Sequence, residues 1–321
     1  MTRMPSLPPF KPGLSVKLAP QGGIADQVHV FEERDYRALV AALAAGRPLL
    51  VRGEPGTGKS QLARAAAKLM KRTCIQHVVD SQTESRDLLW RLDTVRRLAE
   101  AQLAGAIGDQ SADKARAELA LQNFVVPGPL WWAFDWESAK IQAARSKTPV
   151  PERDAEGDTA NGYVVLIDEI DKAESEVPNG LLEALGAGRL APPELPAVFA
   201  KPPAPLVIIT TNEERSLPDA FIRRCLVLKL QLPTDKDQLI KTLTDRGKAH
   251  FPKKLTRKVL TLAAEMLHED RTNFGDARPR PGQAEYLDML RAVVTLHGED
   301  EAAQLVALEQ TREFVLQKHV E

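Results

Sequence analysis

The chain has 321 residues, 43% hydrophobic and 27% charged, ordinary globular values that exclude wholesale disorder and collagen-like or low-complexity architecture. Its 43 basic and 44 acidic residues nearly cancel, so it lacks the electrostatic footprint of a protein that coats nucleic acid or anionic lipid. The longest apolar stretch runs from Ala38 to Ala45, well short of the roughly 18 residues that span a bilayer, and Cys74 and Cys225 show no spacing that suggests a disulfide framework or a zinc site.

Residues 1–27 are rich in proline and glycine, lack the apolar run of a secretory signal and read as an extended arm, with a cytoplasmic location expected. DYRALVAALAA, Asp35 to Ala45, predicts a helix that Gly46 stops. PLLVRG follows as a short buried strand, KSQLARAAAKLMK, Lys59 to Lys71, as a helix with cations near its end, and CIQHVVDS as a second strand. Glu84 to Gln122 is helical in composition, with a break around Gly105 to Ser111. FVVPGPLWWAF, Phe124 to Phe134, fits a hairpin or a loop leading into a helix, with Trp131 and Trp132 expected to pack in the core.

Thr148 to Gly162 is a polar linker, and YVVLIDE is a continuous apolar strand ending in carboxylates. Leu181 to Leu185 is helical, while Ala191 to Pro205, with six prolines, must be loop or sheet edge. PLVIITTN and CLVLKLQL are two more strands. Beyond Pro233 only helical patterns remain, at 235–246, 255–268, 282–297 and 300–318. Strands alternating with helices, then helices alone, predict an α/β domain with a parallel sheet over 28–233 and a small all-α lid over 234–321.

Gly53 to Ser60 reads GEPGTGKS and satisfies G-x-x-x-x-G-K-[ST], between an apolar strand and an Ala-rich helix. Backbone N–H groups must curl around phosphate oxygens there, which glycine permits and the helix N-terminus favours. Gly53, Glu54, Pro55, Gly56, Thr57, Gly58, Lys59, Ser60 and Gln61 are therefore the expected nucleotide contacts. Lys59 would reach the β and γ phosphates, and the Ser60 hydroxyl would ligate Mg²⁺.

The strand VVLIDE carries Asp168 and Glu169 at its tip, where one carboxylate can serve the Mg²⁺ shell and the next can polarise water toward the γ-phosphate. Asp171 reads as a helix cap or surface acid. Asn212 ends VIITTN and could hydrogen-bond the attacking water or the γ-phosphate, since strand carboxyl ends form the ligand crevice of a parallel sheet. Arg223 and Arg224, in LPDAFIRRC, are candidates for an arginine supplied in trans. Arg278 and Arg280, before the helix AEYLDML, could reach the nucleotide from the lid.

Together these residues resemble an AAA+ ATPase, and more narrowly the MoxR-like group. GEPGTGKSQLA is similar to its Walker A motif, VVLIDEIDKAESEVPNGLLEAL to its Walker B strand and following helix, IITTNEERSLPDAFIRRC to its sensor 1 and arginine finger, and RPRPGQAEYLDMLRAV to its sensor 2 helix. The resemblance implies that Lys59 and Ser60 bind triphosphate and Mg²⁺, Asp168 coordinates Mg²⁺, Glu169 is the catalytic base and Asn212 is sensor 1. Arg224, with Arg223 beside it, falls at the finger, where R-R-C replaces the usual D-R-F. Sensor 2 falls on Arg278 or Arg280, the latter closer to the helix. Segments 84–134 and 191–205 occupy the places of the group's insertions. The implied function is Mg-dependent ATP hydrolysis by a homo-oligomeric ring, hexameric, that remodels or activates a protein partner encoded nearby. The alternative is a slow ATP-dependent assembly switch, for example in bacterial defence. A DNA-directed motor is disfavoured by the balanced charge and by the lack of a nucleic-acid-binding motif.

Overall fold

The computed structural model describes residues 7–20, 26–107, 112–153, 157–174, 176–273 and 280–316. Strands β1 (Ser15–Leu18) and β2 (Gln27–Val30) come first, followed by helix α1 (Glu33–Ala45), strand β3 (Leu49–Arg52), helix α2 (Lys59–Leu69) and strand β4 (Thr73–Val78). Short elements come next: β5 (Trp90–Leu92), α3 (Thr94–Ile107), α4 (Ala112–Glu118), β6 (Val125–Pro127), α5 (Pro129–Phe134) and α6 (Trp136–Arg145). Then follow β7 (Tyr163–Asp168), α7 (Glu176–Ala187), β8 (Arg189–Leu190), β9 (Val198–Phe199), β10 (Leu206–Thr211), α8 (Asp219–Ile222) and β11 (Leu226–Lys229). The last elements are all helices: α9 (Lys236–His250), α10 (Arg257–Asn273), α11 (Gln283–His297) and α12 (Glu301–Val315).

Five strands form one parallel sheet in the order β11-β3-β10-β7-β4. The apolar runs are continuous rather than alternating because both faces of the sheet are covered: every residue of β10 and all of β7 except Asp168 are buried. The expected fold class, an α/β parallel sheet with flanking helices followed by an all-helical lid region, is the one observed.

By its internal contacts the chain divides into two compact units. One is built mainly from Arg37–Leu50 and Ala66–Val227, the other from Phe10–Tyr36, Val51–Ala65 and the chain from Leu228 onward. In the first unit, β4 and β10 pair with β7 in parallel register, Ile75 opposite Val165 and Ile208 opposite Leu166. Against this sheet lies an aromatic cluster in which the Trp136 and Tyr163 rings stack at 5.4 Å and Trp132 tilts against Trp136 at 4.8 Å. Trp131 and Trp132 are buried, as the sequence led us to expect. Gly128 lets α5 start against the backbone of Leu88 and Leu89, where a Cβ would come within 2.8 Å.

One pairing in this unit departs from the sequence reading. Val125 to Pro127 is a strand, and its antiparallel partner is Trp90–Leu92, which reads as helix by composition. The proline-rich stretch at 191–205, expected as loop or sheet edge, contributes only Val198–Phe199, an edge strand paired with Arg189–Leu190 in a small hairpin.

The second unit begins with an antiparallel pair, β1 against β2, so part of the expected arm is a strand whose backbone hydrogen bonds are satisfied by β2. Its helices α9 to α12 enclose a core that includes Leu243, Leu260, Leu267, Tyr286 and Leu290. Asp235 caps α9 by accepting from Gln238 N (2.9 Å), and Asp300 caps α12 by accepting from Ala303 N (3.1 Å).

Three buried titratable groups where β2, α1 and α9 meet make this unit sensitive to acid. Burial, with Arg246 and His250 adding to it, pushes His29 down to about 3. Burial pushes His250 down to about 4, with Arg291 and Arg246 adding and a backbone bond at Val28 opposing. Asp35 is pushed up to about 6, chiefly by burial. Both histidines fold neutral, so the unfolded chain takes up protons first and stability falls as pH drops from the ordinary histidine value toward 4. Asp35 acts oppositely and offsets part of this. We expect a net loss of about 2 kcal/mol between pH 7 and pH 5, and His250→Gln should flatten the dependence. Thermal melts at the two pH values check this; a melting temperature unchanged or raised at pH 5 would contradict it.

Candidate nucleotide site

The phosphate loop leaves β3 and runs into α2, which begins at Lys59. The N–H groups of the first turn of α2 have no carbonyl partner within the helix and point toward the loop. Gly53 has φ of 154°, and a Cβ there would sit 2.2 Å from Leu230 O; Gly56 has φ of 74°, and its Cβ would lie 2.9 Å from that of Ala284. Neither position accepts a side chain without moving the loop. Lys59 is only 6% exposed, and its Nζ donates to Gly53 O (2.8 Å) and Glu54 O (2.9 Å). The Thr57 hydroxyl donates to Glu54 O (2.9 Å), which closes the loop on itself.

The side chain of Glu54 is taken up by Arg271 of α10, whose Nη2 lies 2.9 Å from Glu54 Oε2 and whose Nη1 donates to Pro281 O (2.6 Å). Arg271 thus ties the loop to the segment that opens α11. It reads in sequence as one more helix-surface cation. Beside the loop is a cavity lined in part by Val28, His29, Val30, Thr57, Gly58 and Gln61. His29 Nε2 and Gln61 Oε1 are buried there without a hydrogen-bond partner. The rest of its lining is largely charged, with Glu32, Arg34, Asp35, Lys229 and Arg246. His29 falls just beyond the expected arm and carries no motif that would single it out.

The second set of residues sits at the carboxyl ends of β7 and β10. Thr210, fully buried, donates its hydroxyl to Asp168 Oδ1 and accepts from Glu169 N (2.9 Å). Glu169 has a left-handed backbone, φ 60° and ψ 47°. Its Oε1 accepts from Asn212 Nδ2 (3.2 Å) and its Oε2 lies 2.5 Å from Lys172 Nζ. The pairing with Glu169 raises the Lys172 pKa. The expected trio Asp168, Glu169 and Asn212 is therefore brought together.

Asp171 is neither a cap nor a surface acid. It is 2% exposed, and its carboxylate accepts from Asn212 N (3.4 Å) and Glu214 N (3.0 Å). It braces the turn that presents Asn212, a role set by a contact 41 residues away in sequence. Thr210 and Asp171 join this cluster although motif spacing does not single them out. The polar pair ending VIITT is the one sequence signal that could have found Thr210.

Arg223 and Arg224 follow α8 and are both exposed, while Phe221 and Cys225 on either side are buried. The buried neighbours anchor the segment, so both guanidinium groups stand in solvent. Arg223 O accepts from Arg47 Nη2 (3.4 Å). Arg280 is partly buried just before α11, and Arg278 lies outside the described residues. No helix among the described residues is long and apolar enough to cross a membrane.

The sequence model of the AAA domain, dynein-related subfamily, matches residues 48–225, a span that contains the phosphate loop, Asp168, Glu169, Asn212 and Arg224. No curated protein sequence matches the chain. Among solved structures, a point mutant of RuvB from Thermotoga maritima is similar at 15% identity and a TM-score of 0.45, over 87% of this chain and 68% of its own. The protein described as a putative ATPase from Cytophaga hutchinsonii is similar at 13% identity and a TM-score of 0.37, over 88% of this chain and 79% of its own. With its family model spanning more than half its length and the motif residues in place, the chain belongs to the AAA domain family, in the dynein-related subfamily, and is an ATP-binding ATPase.

Proposed function

We propose that the chain is a MoxR-like AAA+ ATPase that hydrolyses ATP with Mg²⁺ as a hexameric ring and uses the cycle to remodel or activate a protein partner. The observation that carries the reading is the hydrogen bond from Asn212 to Glu169. It pairs a water-activating carboxylate with a polar side chain that can sense the γ-phosphate, which a structural strand end has no need of.

In this reading Lys59 carries phosphate charge and Glu169 takes the proton from the attacking water. The Ser60 hydroxyl and the Asp168 carboxylate are hard oxygen donors suited to Mg²⁺, and Thr210 orients Asp168 for that task. Among the described residues no group of three or more His, Cys, Asp or Glu could hold a metal, so phosphates and water would supply the remaining ligands. Mg²⁺, when bound, neutralises charge on the β and γ oxygens. Arg224 would complete the site of a neighbouring copy.

A second reading, a slow assembly switch, is favoured by one observation. Both oxygens of Glu169 are engaged, and Lys172 holds the one that would otherwise be open to water. The pair is partly exposed, and such pairs are worth about 1 kcal/mol or less. Lys172→Met should therefore raise steady-state turnover by up to about fivefold with nucleotide affinity unchanged. A fall in turnover would show that Lys172 assists hydrolysis and would remove this reading.

Lys59→Ala should abolish nucleotide binding in an equilibrium assay. Arg224→Ala should keep affinity within a few-fold but lower turnover on the order of 10³-fold, as for arginines acting in trans. Mixing Arg224→Ala with Glu169→Gln copies should restore activity, because some interfaces then pair an intact Glu169 with an intact Arg224. No recovery in mixtures shown to co-assemble would overturn the ring assignment of Arg224. Recovery with Arg223→Ala in its place would move the role to Arg223.

A further inference from the structure

Between Gly53 and Ser60 the phosphate loop carries one cation, Lys59, and one anion, Glu54. A loop that takes a polyphosphate gains from positive charge and loses from negative charge, so Glu54 opposes what Lys59 supplies. The two residues are close: Lys59 Nζ donates to the main-chain oxygen of Glu54 at 2.9 Å. A second carboxylate borders the loop, since Glu285 Oε2 lies 3.6 Å from where a Cβ on Gly56 would stand. Glu285 accepts from Gly282 N (2.9 Å), at the positive end of α11, which offsets its charge. The Glu54 carboxylate is met by a guanidinium instead.

Arg271 is held in place for that contact. It sits in the last turn of α10, and that turn is braced by its neighbour: Asp270, 2% exposed, accepts from Arg312 Nε (3.0 Å) and Nη2 (2.9 Å). Arg271 Nη1 donates to Pro281 O (2.6 Å), which orients the planar group while Nη2 reaches Glu54 Oε2 at 2.9 Å. The Arg271 side chain is 14% exposed and that of Glu54 32%, so salt screens this pair less than one standing free on a surface.

We propose that Arg271 is a positioning residue for the nucleotide: by holding and neutralising the Glu54 carboxylate, it keeps the acidic side chain of the loop from repelling the phosphates. It acts through Glu54 and does not touch the ligand. The proposal requires only that the loop binds ATP, and neither a ring nor a protein partner enters it. Its consequence is that affinity follows the summed charge of positions 54 and 271. That sum is zero in the unsubstituted chain, negative in Arg271→Met, positive in Glu54→Gln, and zero again when the two substitutions are combined.

The test measures equilibrium affinity of the full chain for ATP and for ADP, with Mg²⁺ present, in these three variants and in Arg271→Lys. Arg271→Met should weaken ATP at least about fivefold and ADP by less, because the triphosphate carries more charge. Glu54→Gln should tighten ATP, and the double variant should return to within about twofold of the unsubstituted chain. Arg271→Lys keeps the cation and should stay within about threefold. A double variant as weak as Arg271→Met, or a Glu54→Gln variant that also weakens ATP, would overturn the proposal, since both side chains would then serve only the shape of the loop. Equal losses for ATP and ADP would overturn it too. So would a loss in Arg271→Lys as large as in Arg271→Met, because the bond to Pro281 would then be what matters. Should Arg271→Met fail to fold, Glu54→Gln and Arg271→Lys decide by the same criteria.

Discussion

The polar ends of β7 and β10 turn on a carboxylate that is engaged at both oxygens. Glu169 accepts from Asn212 and pairs with Lys172, while its own N–H is fixed by Thr210. Its left-handed backbone aims the side chain off the line of β7. A left-handed conformation is costly for a residue with a Cβ, by about 1 kcal/mol or more, and it persists because three neighbours determine where the side chain goes. Thr210 orients Asp168, and Asp171 fixes the turn that carries Asn212. The ends of β7 and β10 therefore behave as one polar unit on top of two strands that are otherwise apolar.

The phosphate loop is constrained in a different way. Two of its glycines are held against backbone or a neighbouring side chain, and Lys59 is buried with its ammonium on the loop's own carbonyls. Arg271 adds a tie to Glu54 from α10, and its second nitrogen reaches Pro281. The loop, the end of α10 and the start of α11 are thus linked by one guanidinium. A ligand that displaces the Glu54 side chain would release the α11 entry, which gives the helical region a direct reason to respond to nucleotide.

Most of the architecture was legible in sequence because the central strands β7 and β10 are continuous buried runs of six residues, apolar but for their carboxyl-end Asp168, Thr210 and Thr211, and because the last four helices carry clear apolar periodicity. What escaped was decided by partners distant in sequence. Trp90–Leu92 is a strand only because Val125–Pro127 lies beside it, and Ser15–Leu18 only because it pairs with β2. Of the candidate site, motif spacing picked out Lys59, Asp168, Glu169 and Asn212, and the structure places Asn212 against Glu169. Asp171, Thr210, Arg271 and His29 owe their roles to burial and to contacts that no local pattern encodes.

Glu169 is the point where family, geometry and mechanism meet, so the most direct measurement is ATP affinity and phosphate release measured side by side for Glu169→Gln. The amide preserves size and can still meet Asn212 but cannot take a proton from water. The account predicts affinity within a few-fold of the unsubstituted chain and release at the uncatalysed background. Turnover close to that of the unsubstituted chain, or a loss of affinity as large as the loss of turnover, would contradict it.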